Sequence, residues 1–119
     1  MRKELRLRQK RDFDNVFQRG RSWSNQLLVL RIAPNALPHN RFGFVTSKRL
    51  GKAVIRNRVR RRLREAIRVM PLATGWDAVV STKTAAASAD FHELKQAVVD
   101  LLARAGILNA DAQSEGKEA

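Results

Sequence analysis

Between Ser47 and Arg68 the chain reads SKRLGKAVIRNRVRRRLREAIR, with ten Lys or Arg residues against a single acid, Glu65. Guanidinium and ammonium groups at this density offer one chemistry. They bind phosphate oxygens through charge-assisted donation, and the planar arginine fork can also stack on bases. The groups that would cut a phosphodiester are not gathered anywhere. Cysteine is absent, His39 and His92 lie far apart, and Asp12, Asp14, Glu65, Asp77 and Asp90 are scattered among different segments. Two-metal phosphoryl transfer needs several carboxylates converging on ions about 4 Å apart. No catalytic residue and no protein metal ligand is therefore expected, and the chemistry that remains is recognition of a polyanion.

Those basic residues need an element to present them. Ile55, Val59, Leu63, Ala66 and Ile67 recur at three- and four-residue steps, which predicts a helix with an aliphatic seam. At about 100° per residue, Arg60, Arg64, Asn57, Arg68, Arg61 and Arg58 fall on the opposite side. On that geometry, removing Arg58 or Arg60 should leave stability almost unchanged. A solubilising face would intersperse Glu, whereas here Arg56, Arg60, Arg64 and Arg68 follow at i,i+4, a like-charge arrangement that destabilises by a few tenths of a kcal/mol per pair. An external polyanion is the expected compensation.

The motif Arg56-Asn57-Arg58 opening a basic helix, with its Ser-Lys-(basic)-(aliphatic)-Gly lead-in and Ala53-Val54, resembles the signature of the bacterial ribonuclease P protein subunit. The resemblance spans residues 5–105. It implies an α/β sandwich with a four-stranded mixed sheet and three helices, the basic helix lying in a βαβ crossover that is left-handed in the family, against the usual right-handed rule. It also implies an accessory, RNA-binding subunit of the endoribonuclease that removes the 5′ leader from precursor tRNA. Catalytic groups and Mg2+ would belong to the RNA subunit. The implied partners are that catalytic RNA and the leader, with no membrane and no obligate protein partner. Lys48, Arg49, Lys52, Arg56, Asn57, Arg58, Arg60, Arg61, Arg62, Arg64 and Arg68 become the expected RNA contacts. Phe13 and Phe17 join them, since in the family the Asp-Phe-x-x-Val-Phe-x-x-Gly helix borders a cleft for single-stranded RNA. Family members often carry a tyrosine facing that cleft from the strand matching residues 26–33; this chain has no tyrosine, and Leu30 sits about there.

The rest of the chain agrees with a small nucleic-acid-binding protein. It has 119 residues, a net charge of +13 and a pI near 11.6. No apolar run approaches the roughly 20 residues of a membrane span, and no apolar stretch follows the basic N-terminus as a signal peptide requires. A cytoplasmic protein is expected, with one domain over 1–108 and a polar, disordered tail over 109–119. Basic residues cluster in 1–21, where there are eight, and in 48–68, where there are ten. Residues 1–9 read as a mobile arm or one edge of a binding groove.

Asp12 is expected to cap a helix ending near Gly20, with Phe13, Val16 and Phe17 on one face as core or as stacking platforms. Residues 26–33 read as a strand, with 21–24 a short strand before it and 41–47 its hairpin partner. Pro71 should close the basic helix, and 76–81 should form a buried strand. Lys83 and Thr84 fall in a plain loop, and the histidines have no assigned role. Asp90 and Glu93 make a capping box for a last helix with Phe91, Leu94, Val98, Leu101, Leu102 and Ala105 on its apolar face, ended by Gly106. Two other functions fit the charge alone. A ribosomal-protein-like RNA-binding module lacks the Arg-Asn-Arg signature, and a helix-turn-helix DNA reader needs a partner helix that the flanking strands do not provide.

Overall fold

Strand alternation divides this molecule, because successive residues of each strand feed opposite faces of one sheet. The computed structural model describes residues 2–109. In chain order it has α1 (Lys10–Arg19), β1 (Arg21–Ser24), β2 (Leu28–Pro34), β3 (Arg41–Val45), α2 (Ala53–Arg68), β4 (Trp76–Thr82) and α3 (Phe91–Arg104). Short 3-10 turns lie at Lys3–Leu5, Lys48–Leu50 and Thr84–Ser88. The four strands form one sheet in the order β1-β2-β4-β3, antiparallel except for the parallel β3–β4 pair.

One face of the sheet carries the main core. Leu28, Leu30 and Ile32 of β2, Phe42 of β3, and Ala78 and Val80 of β4 pack against Val59, Leu63 and Ile67 of α2 and Leu94, Val98, Leu101 and Leu102 of α3. The opposite face carries a smaller cluster of Leu7, Val16, Ala33 and Val79, with Phe13 packed on it. Two helices thus hold one face, and α1 with Leu7 of the N-terminal segment holds part of the other. The expected seam of α2 is buried at Val59, Leu63, Ala66 and Ile67. The capping box of α3 is present, with Asp90 Oδ1 accepting from Glu93 N at 2.8 Å and Glu93 Oε1 from Asp90 N at 3.0 Å. Gly106 takes φ +79 just beyond that helix, a left-handed conformation that glycine adopts without a Cβ clash.

Three expectations are corrected. The hairpin partner of β2 is β1, joined by a tight turn in which Asn25 Oδ1 accepts from Leu27 N at 3.1 Å and Leu28 N at 3.0 Å. Residues 41–45 instead pair with β4, which lies between β2 and β3. The most continuously buried strand takes a central position, since it needs a neighbour on each side to satisfy its backbone. Asp12 does not cap α1. Gln9 is the N-cap, without a side-chain bond, and the Asp12 carboxylate reaches Arg41 at 3.6 Å. Phe91 opens α3 but is exposed rather than part of its buried face. Of the tail expected to be disordered, residues 110–119 lie outside the described residues, while the Asn109 N–H donates to the Pro71 carbonyl at 2.7 Å.

Candidate nucleic-acid interface

The lead-in to α2 presents its cations openly. Lys48, Arg49 and Lys52 are exposed around Leu50, which is buried and anchors the turn. Lys52 occupies the N-cap without a side-chain bond, and no acid sits in the first turn. The first N–H groups of the helix are thus left to an external acceptor, and the positive end of the helix dipole adds to the surrounding lysines.

Along the helix the arginines separate into three groups. Arg61 and Arg68 are exposed with Asn57, and Arg68 pairs with Glu65 at 3.1 Å. Arg60 and Arg64 are half-buried on the flank that faces β3. Arg60 donates to Thr46 Oγ1 at 2.7 Å and to Asn57 Oδ1. Burial pushes the Arg64 guanidinium below its ordinary pKa, and the charges of Arg6, Arg60 and Arg61 push the same way. Arg58 and Arg62 lie on the other flank. Arg62 donates to the Ala89 carbonyl at 3.0 Å and Arg58 to the Ala87 carbonyl at 3.3 Å. Arg58 was expected on the outer face. It is instead half-buried, tied to the segment before α3, and its Nε, like that of Arg56, is buried without a partner.

α1 brings the aromatic residues. Phe13 lies against Gly43 so closely that a Cβ there would come within 2.4 Å of its ring, so glycine is what lets the ring sit on β3. Phe17 is 45% exposed, with the Arg31 guanidinium 5.0 Å from its ring centroid. That cation–π contact holds the ring beside the sheet. Leu30 does not face this side. It is 1% exposed in the main core, and the alternation of β2 turns Val29 and Arg31 towards α1 instead. Arg31 had no signal in the sequence, because one arginine in an aliphatic strand gives no periodic cue.

Between α1 and α2, across β3, lies an open hollow of about 150 Å³ lined by Phe13, Gly43, Phe44, Arg60 and Arg64, with Arg6 at its rim. Phe13, Arg60 and Arg64 therefore meet at one place, while Lys48, Arg49 and Lys52 lie at the N-terminal end of α2 and Arg58 and Arg62 on its far side. The carboxylate of Asp77, opposite Arg41 on β4, is already engaged. Asp77, 3% exposed, accepts from Arg41 Nε at 2.8 Å, from an Arg41 terminal nitrogen at 2.6 Å and from Asn35 Nδ2 at 2.9 Å. Hydrogen bonding to Asp77 raises the Arg41 pKa above its ordinary value, and the Asp77 and Asp12 charges add to it against the effect of burial. Carboxylates neutralised in this way do not fit a dedicated Mg2+ site. No group of three or more His, Cys, Asp or Glu that could hold a metal occurs among the described residues. The arrangement can bind phosphates and stack bases; it offers no nucleophile–base pair.

Comparison with known proteins points the same way. Residues 1–106 match the model of the family described as Ribonuclease P. The ribonuclease P protein component of Clostridium botulinum (strain Langeland) is 39% identical over 110 residues, covering 90% of this chain and 99% of its own. That of Roseiflexus sp. (strain RS-1) is 43% identical over 113 residues, covering 92% and 93%. Among solved structures, the Thermotoga maritima RNase P protein superposes with a TM-score of 0.74 at 33% identity, over 83% of this chain and 96% of that one. The Staphylococcus aureus RNase P protein gives 0.81 at 26% identity, over 88% and 98%.

Proposed function

The chain belongs to the ribonuclease P protein family, as an RNA-binding subunit of this tRNA-processing ribonuclease, and from that premise we propose how it acts. The lead-in Lys48, Arg49 and Lys52 and the outward residues of α2 bind the catalytic RNA. The leader of precursor tRNA lies along the sheet face that α1 covers in part, past Phe17 and Phe13 towards the edge of β3. Hydrolysis and its Mg2+ ions belong to the RNA, and the protein supplies fixed positive charge where two polyanions meet. The expected compartment is the cytoplasm; no helix among the described residues is long and apolar enough to cross a membrane.

The observation that carries this reading is the meeting of Phe13 with Arg60 and Arg64 at one hollow, where no carboxylate lines the wall. Stacking contributes about 1–3 kcal/mol per base and is indifferent to sequence, while the arginines hold the backbone. This combination suits an unpaired strand of variable sequence, which a tRNA leader is. The test is Phe17→Leu in the holoenzyme. Leucine keeps an apolar side chain of similar bulk but has no π face, so precursor tRNA should bind about tenfold more weakly while mature tRNA binding stays unchanged. Equal losses for both tRNAs would remove the leader from this face.

A further inference from the structure

We propose that the hollow between the N-terminal segment, β3 and α2 is a seat for one backbone phosphate of unpaired RNA, built by Arg6, Arg60 and Arg64 together with the free edge of β3. The proposal rests on the RNA-binding reading above and adds a residue, Arg6, that lies outside the basic helix.

Three observations converge on this seat. First, the N-terminal segment lies against β3. Arg6 forms a parallel bridge with Phe42, and the Leu7 N–H donates to the Phe42 carbonyl at 2.9 Å. This pins Arg6 at the rim of the hollow of about 150 Å³ that Arg60 and Arg64 line from α2. Second, among the described residues β3 has β4 on one side and only the single Arg6 bridge at Phe42 on the other. Since the Phe42 carbonyl is turned outward to Leu7, strand alternation turns the N–H of Phe44 to the same edge two residues on. An outward N–H beside two guanidiniums is a donor set for a phosphate oxygen.

Third, the charge has no counterpart. Arg6, Arg60 and Arg64 take part in none of the ion pairs among the described residues, and no acid lines the hollow. Arg41 and Arg104, by contrast, pair with Asp77 at 2.6 Å and with Asp100 at 3.4 Å. Arg64 is half-buried, and that burial, with the charges of Arg6, Arg60 and Arg61 after it, disfavours its protonated form. Like charges gathered at a partly buried hollow destabilise the free chain, and a bound anion reverses that. The open hollow between two helices and the Phe13 ring at its wall suit a phosphate on a flexible single strand, whose adjoining base can reach the ring.

A phosphodiester of the catalytic RNA and one of the leader share this chemistry, so the experiment has two arms. Arg6→Gln, Arg64→Gln and the double variant are each measured for binding to catalytic RNA alone. Each is then measured in the holoenzyme for binding to precursor tRNA carrying a long or a two-nucleotide leader. In one arm each single variant should bind about tenfold more weakly, the loss of one charge-assisted bond. Its salt slope should fall by about 0.7, as for one single-strand phosphate. The double variant should lose less than the product of the two, since both residues hold the same group. The unfolding midpoint of the free chain should stay level or rise as repulsion is relieved. Loss confined to the first arm assigns the phosphate to the catalytic RNA; loss confined to the long-leader substrate assigns it to the leader. Unchanged slopes in both arms, or midpoints that fall in step with affinity, overturn the seat. A wild-type chain that binds neither RNA would overturn the functional reading itself.

Discussion

The two flanks of α2 carry the same residue at the same spacing and hold it in opposite ways. Arg58 and Arg62 lie on one flank, Arg60 and Arg64 on the other, two residues apart and so about 200° round the helix. The first pair meets acceptors within the chain, the carbonyls of Ala87 and Ala89, and ties α2 to the segment before α3. The second pair faces Phe13 and Arg6 across the edge of β3, where Arg60 bonds the side chains of Thr46 and Asn57 but no carboxylate answers the charge of the pair. The comparison teaches that arginine type and helical position do not decide the role. What the adjacent elements offer does: backbone carbonyls tie one flank to the segment before α3, and an acid-free hollow leaves the charge of the other for the phosphate proposed above.

The largest expected effect removes the support that both flanks share. Leu63 is 0% exposed in the main core, so Leu63→Ala should destabilise by about 2–5 kcal/mol, read by denaturant unfolding, with RNA binding lost only as far as the fold is lost. Next comes the clamp. Arg62→Ala should lower stability by about 1.5–3 kcal/mol, the range for a hydrogen bond to a charged group, and leave the salt slope of RNA binding unchanged. A slope that fell here as it does at Arg60 would erase the difference between the flanks. Arg60→Ala should do the opposite. Its salt slope should fall by about one ion, with less than about 1 kcal/mol lost in stability, because relief of i,i+4 repulsion offsets the bond to Thr46. The smallest change sharpens the baseline. Arg68→Ala removes an ion pair whose side chains are 59% and 55% exposed, and should alter stability by less than about 0.5 kcal/mol.

The parts of this fold that are legible in the sequence are those governed by local periodicity. The seam Val59–Leu63–Ala66–Ile67 follows the helical repeat, and the capping box of Asp90 and Glu93 is a contact between residues three apart. Strand pairing is not local. Residues 41–45 alternate as a hairpin partner would, but a pattern within one strand says nothing about which neighbour it meets, and the buried Ala78-Val79-Val80 run took the place beside β2. The site divides along the same line. The Arg-Asn-Arg signature and the two phenylalanines are contiguous motifs, whereas the sorting of Arg58 from Arg60 depends on a carbonyl almost 30 residues away. Arg6 and Arg31 carry no periodic signal and become visible only once the β3 edge and the α1 face are assembled.

The central claim is that this chain contributes positive charge from one flank of α2 and no cleaving groups. It is tested most directly by single-turnover cleavage of precursor tRNA across a magnesium series, using catalytic RNA alone, RNA with wild-type protein, RNA with the Arg60→Ala/Arg64→Ala pair, and protein without RNA. The protein alone should cleave nothing at any magnesium concentration. Wild-type protein should shift the magnesium requirement of the RNA downward, by an amount that shrinks as monovalent salt rises, because fixed arginines replace counterions that salt otherwise supplies. The double variant should lose most of that shift while remaining folded. Cleavage by RNA-free protein, or a shift that the double variant keeps in full, would contradict the account.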